Sequence, residues 1–234
     1  MQIKKSLAFG SLLVFGAGLA YAADQTILGG TFLVKNPSTP DKRKVIGKAK
    51  EPGSPNTIVG NPVANGGVLV VTATGGSSST QTFVLPATTS GITGKPFWSG
   101  DAVKGFKYKD PKGENGPVKV AQIKKAPSGV FAIKTVIVGK LGTVNVVPPN
   151  PGTSGCVLLG LNLGDTYSVQ FGATSQITNK DGTLFKAKKP AVEGSCITTT
   201  TTTSTTTTSS STTSTTLYGS PSRAFVDRVM GLLD

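Results

Sequence analysis

Nineteen consecutive threonine and serine residues, at positions 198–216, interrupt the chain near its end. Their side chains bury too little apolar surface to offset the entropy that is lost when a backbone becomes ordered. We therefore interpret residues 197–219 as a solvated linker, with a composition that also suits an O-glycosylated stalk. The folded body must end before this linker, and a short separate element must follow it at 220–234.

Residues 1–22 have the pattern of a secretory signal peptide. Lys4 and Lys5 precede an apolar run at positions 7–19, and small residues surround Ala22. The run is shorter than the roughly 20 residues that a helix needs to cross a bilayer. We expect cleavage after Ala22, no transmembrane segment, and a secreted or cell-surface protein, or a periplasmic one in a bacterium. An uncleaved anchor or a core helix is the alternative.

The chain has two cysteines, Cys156 and Cys196, and both belong to the exported part. An even number of cysteines in an oxidising compartment favours a disulfide over a metal site or a nucleophile. Since Cys196 almost adjoins the linker, this bond would fasten the end of the body where the linker begins. Two free buried thiols are the alternative.

The body, residues 23–196, has the composition of an all-β domain. Its apolar stretches are short, rich in Val, Ile, Thr and Phe, and separated by Gly, Pro, Asn and Asp. We predict a single antiparallel β-sandwich, with two tandem Ig-like sandwiches as the alternative. The predicted strands are 31–35, 42–50, 67–74, 80–85, 105–109, 118–125, 130–138, 143–147, 156–161, 167–171 and 183–188.

A weak internal repeat supports the Ig-like alternative. The pattern Phe-x-x-Lys-x-Pro begins at Phe32, Phe106 and Phe185, and the first two occurrences are 74 residues apart. A simpler interpretation is that each Phe points inward, each Lys lies in solvent at a strand end, and each Pro stops strand pairing.

Two segments carry strong turn signals. Residues 126–129, Ala-Pro-Ser-Gly, and residues 179–182, Asn-Lys-Asp-Gly, predict hairpins, because Pro fixes φ and Gly accepts positive φ. The second segment and the stretch 110–116 contain Asp, Asn and Gly, but neither has the alternating oxygen ligands of a calcium loop. We therefore interpret both as plain turns and expect no metal and no cofactor.

The mature chain is strongly basic. Without the leader it has 22 basic and 11 acidic residues, and the basic ones cluster at 42–50, 104–125 and 186–189. Such a charge attracts an anionic surface or an acidic polysaccharide. Only Arg43, Arg223 and Arg228 are arginines, and specific nucleic-acid recognition favours arginine, so we expect no specific nucleic acid. Protection of sheet edges and solubility are the alternative use of the lysines.

Four aromatic residues and one acid form the densest aromatic group of the chain. Exposed rings stack on sugars and acids hold hydroxyls, whereas buried rings fill a sandwich core. The group is therefore either a candidate ligand platform or part of the core; Asp110 lies beside it. Its members are Phe97, Trp98, Asp101, Phe106 and Tyr108.

The sequence contains few of the residue patterns that catalysis requires. The chain has no histidine, so Ser-His-Asp and Cys-His nucleophile systems and His-based zinc sites are excluded. The Gly-x-Ser-x-Gly and Ser-x-x-Lys motifs are also absent from the sequence. A carboxylate pair could hydrolyse glycosides, but eleven scattered acids identify no such pair. We predict that the protein is not an enzyme.

The last fifteen residues, 220–234, predict an amphipathic helix. Ser220 can cap it and Pro221 suits its first position. A helix this short is marginal alone in water, so it should order by docking its apolar side on its own body, a protein partner, a sorting component or a membrane surface. That side contains Phe225, Val226, Val229, Met230, Leu232 and Leu233.

The order of leader, β domain, linker and terminal element resembles the general layout of exported surface proteins. Our first hypothesis is a non-catalytic protein with a structural or adhesive role at the cell surface, tethered or docked through the terminal helix. The second is a secreted carbohydrate-binding module that uses the aromatic platform around Trp98.

Overall fold

The computed structural model describes residues 23–190 and 194–196. Alternating apolar and polar residues build its strands, because successive side chains of a strand point to opposite faces. The strands are β1 Asp24–Thr26, β2 Gly29–Lys35, β3 Lys44–Glu51, β4 Gly67–Gly75, β5 Ser79–Leu85, β6 Trp98–Asp101, β7 Gly105–Lys109, β8 Val118–Lys125, β9 Phe131–Val138, β10 Gly152–Leu161, β11 Thr166–Phe171, β12 Gln176–Lys180 and β13 Leu184–Lys188. One α-helical turn, α1 (Pro62–Asn65), and two 3₁₀ turns, Pro40–Lys42 and Gly139–Leu141, join them.

These strands form two sheets. The smaller has the order β1-β11-β10-β4-β5, and the larger has the order β12-β13-β2-β3-β9-β8-β7-β6. Strands β1 and β11 run parallel, and the other neighbours are antiparallel. Both halves of the chain contribute to each sheet, since β4 pairs with β10 and β3 with β9. The all-β prediction is confirmed, and the two sheets are those of a β-sandwich.

Aromatic side chains join the inner faces of the sheets. Phe32 of the larger sheet stacks on Phe171 of the smaller one, with ring centroids 5.6 Å apart. Phe131 and Tyr167 stack across the sheets in the same way, at 5.8 Å. All four side chains are fully buried. Burial of a phenylalanine side chain of this kind stabilises a fold by about 1.5–3 kcal/mol, so these pairs are central to the core.

Ten of the eleven predicted strands are confirmed, with ends that differ by at most four residues. The sequence prediction missed β1, β6 and β12, and each of them is an edge strand. These three strands have only three to five residues and are largely polar, so they lack the apolar alternation that marks the predicted strands. Phe32, Phe106 and Phe185 are buried in the larger sheet, as the simpler interpretation of the repeat predicted.

The predicted strand at 143–147 is wrong, although its alternation is real. Val144 and Val146 are buried, as an inward-facing alternation predicts. The segment lies beside edge strand β5. However, side chains of β5, rather than its backbone, form the hydrogen bonds to the backbone of the segment. Gln81 Oε1 accepts the Asn145 N–H at 2.7 Å, and Ser79 Oγ accepts the Val147 N–H at 3.0 Å. The segment therefore covers an edge without becoming a strand.

Both predicted hairpins are present. The turn at 126–129 joins β8 to β9, with the Ala126 N–H donating to the Val130 carbonyl at 2.8 Å. Gly129 takes a φ of 77° there, and Gly182 takes 60° in the turn between β12 and β13. These positive angles explain why glycine occupies the two positions.

The predicted disulfide also forms. Cys156 of β10 and Cys196 are bonded, with their Cα atoms 5.8 Å apart. The bond fastens residues 194–196 to the middle of the smaller sheet, since β10 lies between β11 and β4. The leader 1–22, the linker 197–219 and the predicted helix 220–234 lie outside the described residues.

Candidate functional site

The predicted aromatic group lies in the core. Phe97, Trp98, Phe106 and Tyr108 are between 1% and 4% exposed, and the Tyr108 ring contacts both Phe97 and Trp98. Trp98 Nε1 donates to the Leu85 carbonyl at 3.1 Å. Burial raises the pKa of Tyr108 well above its ordinary value. The rings therefore fill the sandwich and offer no open face on which a sugar could stack.

The two acids of this region bind backbone groups of their own turns. Asp101 Oδ1 accepts the N–H groups of Val103 and Lys104, at 2.9 and 2.7 Å. Asp110 is fully buried and accepts three N–H groups from residues 113–115, at 2.7 to 3.0 Å. These bonds make the stretch 110–116 a closed turn, and they explain why an acid occupies each position.

The lysines of the strands are confined to the larger sheet. It contains thirteen of them, whereas the described strands of the smaller sheet contain no lysine or arginine. Twelve of the thirteen lie on inner strands, where protection of a free edge cannot be their role. They are Lys35, Lys44, Lys48, Lys50, Lys107, Lys109, Lys119, Lys124, Lys125, Lys134, Lys186 and Lys188, with Lys180 on edge strand β12.

Strand register aligns four of these lysines in one row on the outer face. With strands about 4.8 Å apart, the row covers about 24 Å from β13 to β7. We call this row of six residues, four of them lysines, the lysine row. In order across the sheet, the row consists of Lys188, Thr31, Lys48, Lys134, Gln122 and Lys107, in which threonine and glutamine separate the lysines.

Like charges face each other directly within this surface. Lys48 of β3 is the register partner of Lys134 of β9, and Lys35 of β2 is the partner of Lys44 of β3. Like charges directly opposite each other destabilise a sheet. These two pairs therefore lower the stability of the sheet, and the fold alone does not explain why lysines occupy the positions.

Lys186 adds a further sign of crowded positive charge. A hydrogen bond from the Lys188 ammonium group to the neutral amine of Lys186 favours the neutral form and lowers the pKa of Lys186, and the charge of Lys188 lowers it further. The two residues occupy alternate positions of β13, so they lie on the same face of the sheet.

An apolar stripe runs beside the lysine row, one step along the strands. Its four residues are register partners on adjacent inner strands, and each is partly buried. Lys186 and Lys109 pair with the two ends of the stripe. We call the lysine row and this stripe together the lysine face. The stripe consists of Leu33, Ile46, Val136 and Val120.

Carboxylates are nearly absent from the strands of the larger sheet. Of its described strands, only β3 and β6 contain an acid. Glu51 ends β3, is buried, and accepts a hydrogen bond from Ser54 Oγ. Asp101 lies in edge strand β6, beyond the end of the lysine row. The described inner strands therefore have no exposed carboxylate beside the outer lysines.

The fold brings together the three basic clusters of the sequence. Parts of 42–50, 104–125 and 186–189 become β3, β7, β8 and β13 of a single sheet. Sequence reasoning missed Lys134, which belongs to none of those clusters but lies at the centre of the lysine row. Its outward position between buried Ile133 and Thr135 is the signal that could have identified it.

Comparison with family models, curated proteins and solved structures finds no match to the chain. Within residues 23–190 and 194–196, no group of three His, Cys, Asp or Glu residues comes together as metal ligands would. In that same part of the chain, no helix has the length and apolar character needed to cross a bilayer. The lysine face is the feature of the described body that most needs a functional explanation.

Proposed function

We propose that the protein is an exported, non-catalytic β-sandwich that binds acidic polysaccharide at a cell surface through its lysine face. The leader at 1–22 directs export and is removed after Ala22. The mature chain then has 22 basic and 11 acidic residues, which favours contact with anionic polymers outside the cell. Its role there is adhesive.

The pairing of Lys48 with Lys134 carries this proposal. Both side chains are exposed on adjacent inner strands, and their charges repel each other across the register. An anionic polymer would replace this repulsion with two attractive contacts. The repulsion between Lys48 and Lys134 therefore destabilises the unbound protein, and binding of the anionic ligand removes that destabilisation.

The chemistry of the face favours polysaccharide over a membrane or nucleic acid. Membrane-surface binding relies on large apolar side chains that insert among lipids. None of the large exposed apolar residues of the described body lies on the lysine face. The strands of the face also contain no arginine, and their aromatic rings are buried, so base readout and base stacking lack their usual side chains.

In this proposal, residues 197–234 attach the body to another component of the cell surface. The linker 197–219 separates the body from residues 220–234, whose apolar side docks on a protein partner or a sorting component. Deletion of 220–234 should leave the melting temperature of the body nearly unchanged but alter localisation or assembly. A large fall in melting temperature would instead mean that the segment stabilises the body.

Binding to whole cells tests the proposed function. Fluorescently labelled mature protein is added to cells before and after enzymatic removal of their acidic polysaccharide. The variant K35Q/K44Q/K48Q/K134Q removes both like-charge pairs of the larger sheet. The control K42Q/K95Q/K112Q/K140Q removes four exposed lysines that lie outside the strands, with the same change in net charge.

We expect binding that polysaccharide removal abolishes and that the first variant loses at least tenfold. The control variant should lose less than twofold. Equal losses in the two variants would mean that net charge alone causes attachment. Binding that survives removal of the polysaccharide would contradict the proposal.

A further inference from the structure

We infer that a groove that adjoins the lysine row, on the side away from the apolar stripe, is a subsite for one carboxylated sugar of an acidic polysaccharide. This inference rests on the proposed function and adds to it a position and a ligand class. The groove has a volume of about 580 Å³, within the range of about 300–1,000 Å³ that is usual for small-molecule sites. Five lysines line it, and no acid does: Lys48, Lys50, Lys124, Lys134 and Lys189.

Small residues create the groove between long ones. Ala132 lies in register between Lys50 and Lys124, so a methyl group separates two lysine side chains. Gly30 lies at the point where the register of β2 and β3 shifts, and it contributes no side chain. The groove is therefore concave because Ala132 and Gly30 are small, and larger side chains at these two positions would fill it.

The lining matches a carboxylated sugar in its polar groups. Lysine ammonium groups are compact point charges that donate in several directions, which suits a single carboxylate. Gln122 and Thr31 also line the groove and lie in the lysine row, where they can bind hydroxyl groups. The groove has neither an arginine for bidentate phosphate binding nor an aromatic ring for stacking on a base.

Lys189 is held in a conformation that lysine rarely adopts. Its φ is 47°, in the left-handed region, and its N–H donates to the Gly30 carbonyl at 3.2 Å. Non-glycine residues in this region are strained, and such strain concentrates at binding sites. Here the strained residue is one of the five lysines of the groove, which supports a binding role.

Polygalacturonate, a polymer of carboxylated sugars, is the probe for this groove, and neutral dextran is its control. Binding is measured by isothermal titration calorimetry with the mature full chain. The variant Ala132→Leu fills the groove without changing any charge. The matched control Ala64→Leu adds the same atoms at an exposed position of α1. K124Q and K95Q remove one charge each, inside and outside the groove.

We expect polygalacturonate to bind, dextran not to bind, and Ala132→Leu to weaken binding about tenfold while Ala64→Leu leaves it unchanged. K124Q should weaken binding at least threefold more than K95Q does. Unchanged affinity in Ala132→Leu would show that the groove is not a sugar subsite. The proposed function, polysaccharide binding by the lysine face, would not be contradicted by that result. Absence of polygalacturonate binding to the unaltered protein would overturn both. Tighter binding to anionic phospholipid vesicles or to single-stranded DNA would overturn the ligand class.

Discussion

The backbone nitrogen of Ala23 donates a hydrogen bond to Oδ1 of Asp165, at 3.0 Å. Asp165 is only 8% exposed, and its other oxygen accepts from Gln25 Nε2 at 2.5 Å. The Ala23 carbonyl accepts the Thr166 N–H at 2.9 Å, next to the first residue of β1. Cleavage after Ala22 would turn this nitrogen into an ammonium group beside a largely buried carboxylate, which needs a partner.

Blocking the mature amino group should therefore destabilise the body. Acetylation of Ala23 keeps one N–H but removes the positive charge. We expect it to lower the free energy of unfolding by about 1.5–3 kcal/mol, the usual contribution of a hydrogen bond to a charged group. Urea denaturation of the acetylated and free proteins measures the difference.

The variant Asp165→Asn is the control, because it removes the carboxylate but keeps the shape of the side chain. In this background acetylation should change stability by less than 0.5 kcal/mol, a difference near the error of a double-mutant cycle. An equal effect of acetylation in both backgrounds would show that the charge on Ala23 does not interact with Asp165.

Substitution of Trp98 should damage the fold and leave ligand binding intact. Trp98→Ala empties a fully buried site, and we expect a loss of about 3–5 kcal/mol in stability. Trp98→Phe is the milder variant and leaves the Leu85 carbonyl without its donor, at a cost of about 1–3 kcal/mol. Thermal melts and polygalacturonate titrations measure both. An unchanged melting temperature with lost glycan binding would favour the aromatic platform instead.

Removal of the disulfide should cost a large part of the stability. Cys156 and Cys196 are 40 residues apart, and closing such a loop stabilises a fold by about 4 kcal/mol in the chain-entropy description. We expect C156A/C196A to lose about this amount in urea denaturation. Wild-type protein under strong reductant should lose a similar amount. A loss below 1 kcal/mol would mean that the bond does not constrain the unfolded chain as this description requires.

The charge of Lys188 should control the titration of Lys186. Because the folded-state pKa of Lys186 is lowered, repulsion opposes folding while both lysines are charged and disappears as pH rises past that pKa. We expect Lys188→Gln to raise the pKa of Lys186, and bound polygalacturonate to raise it also. NMR titration of the Lys186 side chain measures both shifts. No response to Lys188→Gln, or the same response to Lys95→Gln, would contradict this coupling.

The inner strands could be predicted because each has an apolar face. In β9, for example, buried Phe131, Ile133 and Ile137 alternate with outward residues, and that period is visible in the chain. The polar edge strand β12 has no such face, so its position follows from pairing with β13. The segment 143–147 has the alternation but lacks the ladder, because Ser79 and Gln81 bind its backbone through side chains.

The lysine face could be predicted only in part. The alternation of Lys48 with Lys50 indicates that both side chains lie on one side of β3. That Lys134 lies directly opposite Lys48 depends on the pairing of β3 with β9, two strands that are distant in the sequence. Strand order and register are tertiary properties, so local patterns identified the basic clusters but not the surface that they form.

Residue-level mapping by NMR tests the central claim most directly. Polygalacturonate is added to the isotopically labelled mature protein, and amide and lysine side-chain shifts are followed to saturation. The account predicts saturable changes at Lys48, Lys134 and their neighbours on the outer side of the larger sheet, with the smaller sheet unaffected. Changes confined to the smaller sheet, or spread evenly over all exposed lysines, would contradict it.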